Sequence, residues 1–266
     1  MRPFLKWLGN KYRSLNEIRL HLSPKQRLIE PFAGSGAVFL NTDYDSYLLA
    51  EQNQDLITLY KTLAQEGDKF INYTQKLFVE ENNCEKTYYQ LREKFNTTSN
   101  PRLKSALFLY LNRHGYNGLC RYNSQGGFNV PFGRYSKPYF PQAEMKHFIE
   151  KATKADFRCM DFKKTLAEAS TDDIVYCDPP YIPLSASADF TAYTKLGFNE
   201  TDQRELANMA EQLANKNISV IISNHDTELA RELYSNAEIH SFSVSRVVGA
   251  SADSRKPVQE LLAIYR

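Results

Sequence analysis

The sequence predicts an α/β protein built on a doubly wound mixed sheet, interrupted by a mainly helical insert that carries a β-hairpin. Three features carry this prediction. Short apolar runs of strand length recur at Arg27 to Phe32, Tyr47 to Ala50, Ile174 to Cys177 and Ile218 to Ser223. They lack the polar alternation of a half-exposed strand, as buried parallel strands do. Stretches of helical periodicity separate most of them. Finally, Ile239 to Val247 and Val258 to Tyr265 follow one another with only the polar Ser245 to Lys256 loop between, which reads as a closing antiparallel pair.

With 266 residues, 42% hydrophobic and 13% aromatic, the chain can bury a large core. No apolar run reaches transmembrane length, and the opening Met1 to Trp7 has no signal-peptide character. Cys84, Cys120, Cys159 and Cys177 show no Cys-x-x-Cys spacing, so neither a metal nor a disulfide framework is expected. A reducing, cytoplasmic setting follows as the expectation. The net charge of +2 is small, but its distribution is uneven.

The elements follow in order. Phe4 to Tyr12 is an aromatic and basic opening with Gly9-Asn10 as its turn signal, and a helix with Leu15, Ile18 and Leu22 on one face comes next. The strand from Arg27 runs into Ala33-Gly34-Ser35-Gly36, then a helix through Val38, Phe39 and Leu40. A strand, Gly-x-Gly, helix order lets backbone N–H groups approach a ligand closely. There is no Gly-Lys-Ser/Thr, so this is no phosphate-cradling loop, and Phe39 replaces the third glycine of a dinucleotide fingerprint. Glu51 ends the next strand, placed to accept hydrogen bonds from both hydroxyls of a ribose. This set fits S-adenosylmethionine (AdoMet), whose sulfonium and adenosine need no pyrophosphate pocket. Phe32, Gly34, Gly36 and Glu51 are the candidate contacts, joined by Asp161 at the end of the strand expected over Asp156 to Phe162.

Helices are expected over Asp55 to Lys61, Phe70 to Phe78, Thr87 to Phe95 and Arg102 to Leu111, with mostly core-forming apolar positions. From residue 94 to 143 there is no Asp or Glu, where composition would place about six, yet Lys94, Arg102, Lys104, Arg113, Arg121, Arg134 and Lys137 stand there. Such a stretch is either a surface facing phosphates or a segment balanced by acids brought in from elsewhere. Gly-rich turns interleaved with Arg, Tyr and Asn between Asn112 and Tyr135 suggest an exposed hairpin that reads nucleic acid.

A helix from Ala143 to Lys154 returns to the α/β pattern, and the run Ile174 to Cys177 ends in Asp178-Pro179-Pro180-Tyr181. The prolines terminate the strand and hold Asp178 extended at the carboxyl edge of the sheet, where open α/β sheets bind ligands. An exocyclic amine on a heteroaromatic ring is a poor nucleophile because its lone pair is delocalised. Asp178 can accept one amine hydrogen and the Pro179 carbonyl the other, which localises the pair, while Tyr181 stacks on the ring. A plain strand-ending turn is the alternative. Residues 182 to 198 read as a flap over the site. A helix from Thr201 to Asn215 leads to the next strand, which ends in Asn224-His225-Asp226 with His225 read as structural.

These residues carry a resemblance. Phe4-Leu5-Lys6-Trp7-x-Gly-x-Lys11, Glu30 to Gly36, Tyr110 to Asn123, Phe128 to Tyr135, Asp178 to Tyr181 and Ile222 to Asp226 are similar, in this order, to DNA adenine methyltransferases of the Dam type, in the α group of amino methyltransferases. The resemblance covers almost the whole chain. It implies a Rossmann-like AdoMet-dependent fold, with residues 1–54 and 145–266 as the catalytic domain and 55–144 as the target-recognition domain. It implies methyl transfer to adenine N6 in GATC of double-stranded DNA. A protein acting as a monomer, needing neither metal nor membrane, is expected beside it. It implies AdoMet contacts at Trp7, Lys11, Glu51 and Asp178. Tyr116 and Asn117 would wedge beside the flipped adenine's partner; Leu119, Arg121, Pro131 and Tyr135 would read base edges, and Lys6 would reach the first guanine. Arg113, Asn123 and Arg134 complete the candidate DNA contacts. Two positions depart from the pattern: Glu51 stands where Asp is usual, and Asn10 replaces a glycine.

Two rivals stay open: an amino methyltransferase acting on RNA or a glutamine amide, and a DNA-binding regulator that has lost its chemistry. Glutamine-directed relatives carry Asn where Asp178 stands and lack an acid-free insert. The intact Asp178-Pro179-Pro180-Tyr181 speaks against lost chemistry.

Overall fold

The computed structural model describes residues 1–182, 198–244 and 257–266. Its strands are β1 (Arg27–Glu30), β2 (Ser46–Glu51), β3 (Ala155–Cys159), β4 (Asp173–Cys177), β5 (Ser219–His225), β6 (Glu238–Val244) and β7 (Val258–Tyr265). Its α-helices are α1 (Leu15–His21), α2 (Gln54–Glu66), α3 (Asp68–Gln75), α4 (Glu85–Thr97), α5 (Pro101–His114), α6 (Gln142–Ala152), α7 (Phe162–Leu166), α8 (Glu200–Ala214) and α9 (Glu228–Leu233). The strands form one seven-stranded sheet of order β3-β2-β1-β4-β5-β7-β6. It is the mixed α/β sheet that the apolar runs predict. No helix among the described residues is long and apolar enough to cross a membrane.

By compactness the chain divides into two units: Met1–Tyr12, Ala33–Thr42 and Glu51–Cys159 form one, and Arg13–Phe32, Asp43–Ala50 and Met160–Arg266 the other. This division groups the N-terminal segment with the helical insert instead of breaking near residues 54 and 144. Aromatic packing explains the grouping. The fully buried Phe4 ring sits edge-on to Tyr60 at 5.9 Å and to Phe148 at 5.1 Å, so the opening segment is part of that unit's core. Helix α5 is buried from Ser105 through His114. Asn100 caps it, accepting from Leu103 N–H at 3.0 Å, with Pro101 preset for the first turn.

In the second unit β2, β1, β4 and β5 run parallel, and β7 inserts antiparallel between β5 and β6. The order reverses between β1 and β4, a switch point of the kind where open sheets bind ligands. Register there is fixed by a fork: Arg27 Nε and Nη2 donate to Asp173 Oδ1 and Oδ2, both at 2.8 Å, from directly paired positions. Burial alone would raise the Asp173 carboxyl, but the Arg27 and Ser170 hydrogen bonds win and hold it below its ordinary value.

Two expected elements take other forms. Instead of a helix through Val38, Phe39 and Leu40, the glycine turn leads into a 3-10 turn over Phe39–Asn41. Asn41 Nδ2 donates to the Ala37 carbonyl and Thr42 Oγ1 to the Val38 carbonyl, so side chains take the acceptors that a further helical turn would use. The expected hairpin is not a ladder either: the Asn112 to Tyr135 region pairs through isolated bridges, Gly115 with Phe132 and Tyr122 with Phe128. Of the flap expected over residues 182–198, residues 183–197 lie outside the described residues, as does the loop 245–256 before β7.

Candidate active site and nucleic-acid interface

In the first unit the glycine turn adopts the left-handed backbone its composition allows, with φ of 46° at Gly34 and 69° at Gly36. A side chain at Gly34 would also strike Trp7, whose Nε1 would lie 2.9 Å from the added carbon. Glu51 braces this turn. Its Oε2 accepts from Gly34 N–H at 3.3 Å and its Oε1 from Asn53 N–H at 3.2 Å, and Tyr60 Oη donates to the Gly34 carbonyl at 2.5 Å. Burial pushes the Glu51 carboxyl up; the backbone donors of Asn53 and Gly34 pull against it. Lys11 is buried and donates to the Gly9 carbonyl at 2.7 Å. Trp7, Lys11, Gly34, Gly36 and Glu51 thus fall in one unit. Amide donors, an acid and an indole, with no phosphate-binding lysine in the turn, suit a nucleoside and not a pyrophosphate.

Phe32, Asp161 and Asp178 belong to the second unit. The Phe32 ring packs on Phe162 and Phe198, both at 5.5 Å. Asp161 lies beyond β3 instead of on it and caps α7, accepting from Lys163 N–H at 2.9 Å. Asp178 follows the fully buried β4. Its Oδ1 accepts from Ser223 Oγ at 3.0 Å. Gln203 Nε2 donates to the Pro180 carbonyl at 2.7 Å, whereas no described residue donates to the Pro179 carbonyl. Tyr181 Oη donates to Glu260 Oε2 at 3.2 Å, and its ring meets His225 edge-on. Asn224 Oδ1 accepts from Ile182 N–H at 2.9 Å, and His225 Nδ1 lies 2.7 Å from the Ile182 carbonyl. The tetrapeptide is therefore held from both ends.

The recognition candidates of the first unit gather about Tyr135. Lys6 Nζ lies 4.0 Å above its ring, and Asn117 N–H donates to its hydroxyl at 2.9 Å. Asn117 is left-handed at φ 53°, a strained state for a residue with a side chain, and Tyr116 beside it is 52% exposed. Gly118 follows, also left-handed; any side chain there would collide with the Lys6 stem. Arg121 is exposed, with Nε donating to Asn129 Oδ1 at 2.8 Å. Leu119 is half-buried and Pro131 exposed. Asn123 Oδ1 accepts from Gln125 and Gly127 N–H, so it shapes the turn between the bridges.

The seven cations of the acid-free stretch do not all face outward. Arg102 pairs with Glu66 at 2.6 Å, Lys104 with Asp55 at 3.1 Å and Arg134 with Glu85 at 3.6 Å. Arg113 is buried and donates to the Phe4 carbonyl. Acids from neighbouring helices thus balance part of the charge, while Lys94, Arg121 and Lys137 have no salt bridge among the described residues. The footprint is narrower than the sequence suggests.

Comparison with known proteins fits this arrangement. The family model described as D12 class N6 adenine-specific DNA methyltransferase matches residues 7–248. Along the full chain the sequence is 52% identical to the DNA adenine methylase of Escherichia coli strain K12, covering 95% of that protein. It is 51% identical over 266 residues to that of Serratia marcescens, covering 98%, and 48% identical to that of Vibrio cholerae, covering 96%. The chain belongs to the D12 class of N6 adenine-specific DNA methyltransferases.

Sequence reasoning missed residues of this methyltransferase whose role lies in contacts between distant segments. Asn112 is buried on α5, accepts from Lys6 N–H at 2.9 Å, and donates to the Lys6 carbonyl at 2.7 Å and the Gly118 carbonyl at 3.1 Å. Its three bonds tie the N-terminal segment to the turn after α5. Next to it His114 is 1% exposed, stacked 3.9 Å from the Tyr110 ring, with Nδ1 2.9 Å from the Tyr110 carbonyl. Burial drives its pKa down to about 4. With the folded value below the unfolded one, its contribution is complete above pH 6.5 and is lost as pH falls toward 4. The expected loss is about 3 kcal/mol. Urea unfolding at pH 7.5 and 4.5 measures it, and His114→Gln should flatten the difference.

Proposed function

We propose that this methyltransferase transfers the methyl group of AdoMet to adenine N6 within GATC of double-stranded DNA, acting as a monomer on a base flipped out of the helix. The reading rests above all on the contrast between the two proline carbonyls: Pro180 is engaged by Gln203, whereas Pro179 has no donor among the described residues. Asp178 and the Pro179 carbonyl then accept hydrogen bonds from the two amine N–H groups and aim the lone pair, and Tyr181 stacks on the base; the methyl leaves sulfur as the neutral thioether of S-adenosylhomocysteine forms, and one proton is lost from nitrogen. Asp178 also favours the positive charge that grows on nitrogen. AdoMet, when bound, supplies the electrophilic methyl group.

Glu51 would accept from the ribose hydroxyls, and the glycine turn, Trp7 and Lys11 would surround the rest of the cofactor. Tyr116 and Asn117 would fill the gap left by the flipped base, offsetting unstacking that costs a few kcal/mol. Lys6, Leu119, Arg121, Pro131 and Tyr135 would read base edges. Arg113 drops out of this set because it is buried in the protein's own core. Asn123 keeps its turn, and Arg134, exposed though paired, remains available to phosphate.

Incubation with labelled AdoMet and plasmid, followed by cleavage with methylation-sensitive and insensitive enzymes at GATC, tests the reading. Label on protein or RNA, or none, would refute it. The raised Glu51 carboxyl gives a further expectation. Ribose donors favour its ionised form, so AdoMet affinity should fall as pH drops through the Glu51 transition. Glu51→Gln should weaken binding about tenfold at pH 8 and abolish that pH dependence. Calorimetric titration with AdoMet at pH 8 and 5.5 reads both.

A further inference from the structure

Behind Asp178 lies a pair of buried hydroxyls that the chemistry above does not use. Tyr176 on β4 is 1% exposed and Ser223 on β5 is fully buried. Tyr176 Oη lies 3.0 Å from Ser223 Oγ, and Ser223 Oγ lies 3.0 Å from Asp178 Oδ1 and 3.3 Å from the Cys177 carbonyl. A serine hydroxyl has one proton to give. Because its oxygen accepts from Tyr176, that proton is directed to an acceptor, and Asp178 Oδ1 is the nearer one. The hydrogen bond to a carboxylate is charge-assisted and strong.

The surroundings make this donor matter. The groups acting on Tyr176 include Asp178, Ser223, Glu30 of β1 and Glu260 of β7; those acting on Tyr181 include Asp178, Glu260, Tyr176 and Ser223. Asp178 also acts on its chain neighbour Cys177. Nearby acids and burial both oppose an ionised carboxylate, whereas a donated hydroxyl favours it.

We propose that Ser223, with Tyr176 behind it, is a positioning residue that fixes the Asp178 side chain by one oxygen and keeps it ionised for the amine. The inference rests on the reading that Asp178 orients adenine N6. Ser223→Ala removes the donor with little change in volume. Its single-turnover methylation rate should fall about tenfold or more. The KM values for AdoMet and DNA should stay within about twofold, since Ser223 touches neither. The acidic limb of its rate–pH profile should move up by about one unit. Tyr176→Phe should move both readouts the same way by less, and Ser223→Thr, which keeps a hydroxyl, should restore the limb.

Thermal unfolding of each variant accompanies the kinetics, and Tyr176→Phe gives a second route should Ser223→Ala prove unstable. An unchanged rate and pH profile in both variants, with Asp178→Ala inactive, would overturn the role of Ser223 and leave the proposed function standing. An active Asp178→Ala enzyme would instead overturn the reading beneath it.

Discussion

Asp178→Ala is expected to lower methylation of GATC duplexes by roughly 10³-fold or more, the scale on which removal of a preorganised polar group at a reacting centre is felt. This corresponds to about 4 kcal/mol of lost transition-state stabilisation. On the proposed reading the carboxylate would do two things: accept a hydrogen bond from the amine and favour the charge that develops on nitrogen. Alanine does neither, and water cannot reproduce the aim. DNA binding should stay within a few-fold of wild type, because the proposed recognition residues belong to the other unit. A single-turnover assay with tritiated AdoMet beside a gel-shift titration separates the two effects. Turnover within tenfold of wild type would break the scheme. Asp178→Asn tests aim against charge, since the amide keeps one acceptor oxygen but loses the negative charge.

Arg121→Ala is the second large effect, and it should appear in selectivity. The guanidinium is exposed, free of any salt bridge among the described residues, and aligned by Asn129 through Nε. Nη2 also donates to the Asn129 carbonyl, and on the proposed reading the remaining N–H groups would meet guanine, a contact worth about 1–3 kcal/mol against a wrong base. Discrimination between GATC and sites altered at one base pair should therefore drop about tenfold to hundredfold, chiefly at one position. Arg134→Ala should instead weaken all sites alike. Comparing kcat/KM on a panel of single-substitution duplexes decides the matter. Equal losses across the panel for Arg121→Ala would place it on the phosphate backbone.

Much of this was legible in the amino-acid order. The strand ending in Asp178-Pro179-Pro180-Tyr181, the glycine turn after β1 and the closing β6–β7 pair all announce themselves through local chemistry: proline stops, glycine turns and β-branched runs. The residues that hold these motifs in place did not. Ser223 reaches Asp178 from 45 residues away, and Asn112 reaches Lys6 across 106. No pattern within a segment reports such a partner. The charge pattern misled for the same reason. Arg102, Lys104 and Arg134 stand in an acid-free stretch, but Glu66, Asp55 and Glu85 come to meet them from earlier helices. The short turn at Phe39–Asn41 replaced an expected helix because Asn41 and Thr42 claim carbonyls locally, a competition periodicity does not register.

The place of β7 in the sheet has a consequence for synthesis. It follows β6 in the chain, yet it lies between β5 and β6 and carries Glu260, which accepts from Tyr181. A nascent chain that has made β6 but not β7 lacks the strand with which β6 pairs, and the Tyr181 hydroxyl lacks its Glu260 acceptor. Newly translated molecules therefore gain a finished catalytic sheet only once this strand threads into its slot. A chain cut short before β7 would bear an intact Asp178-Pro179-Pro180-Tyr181 and still lack the brace that steadies it.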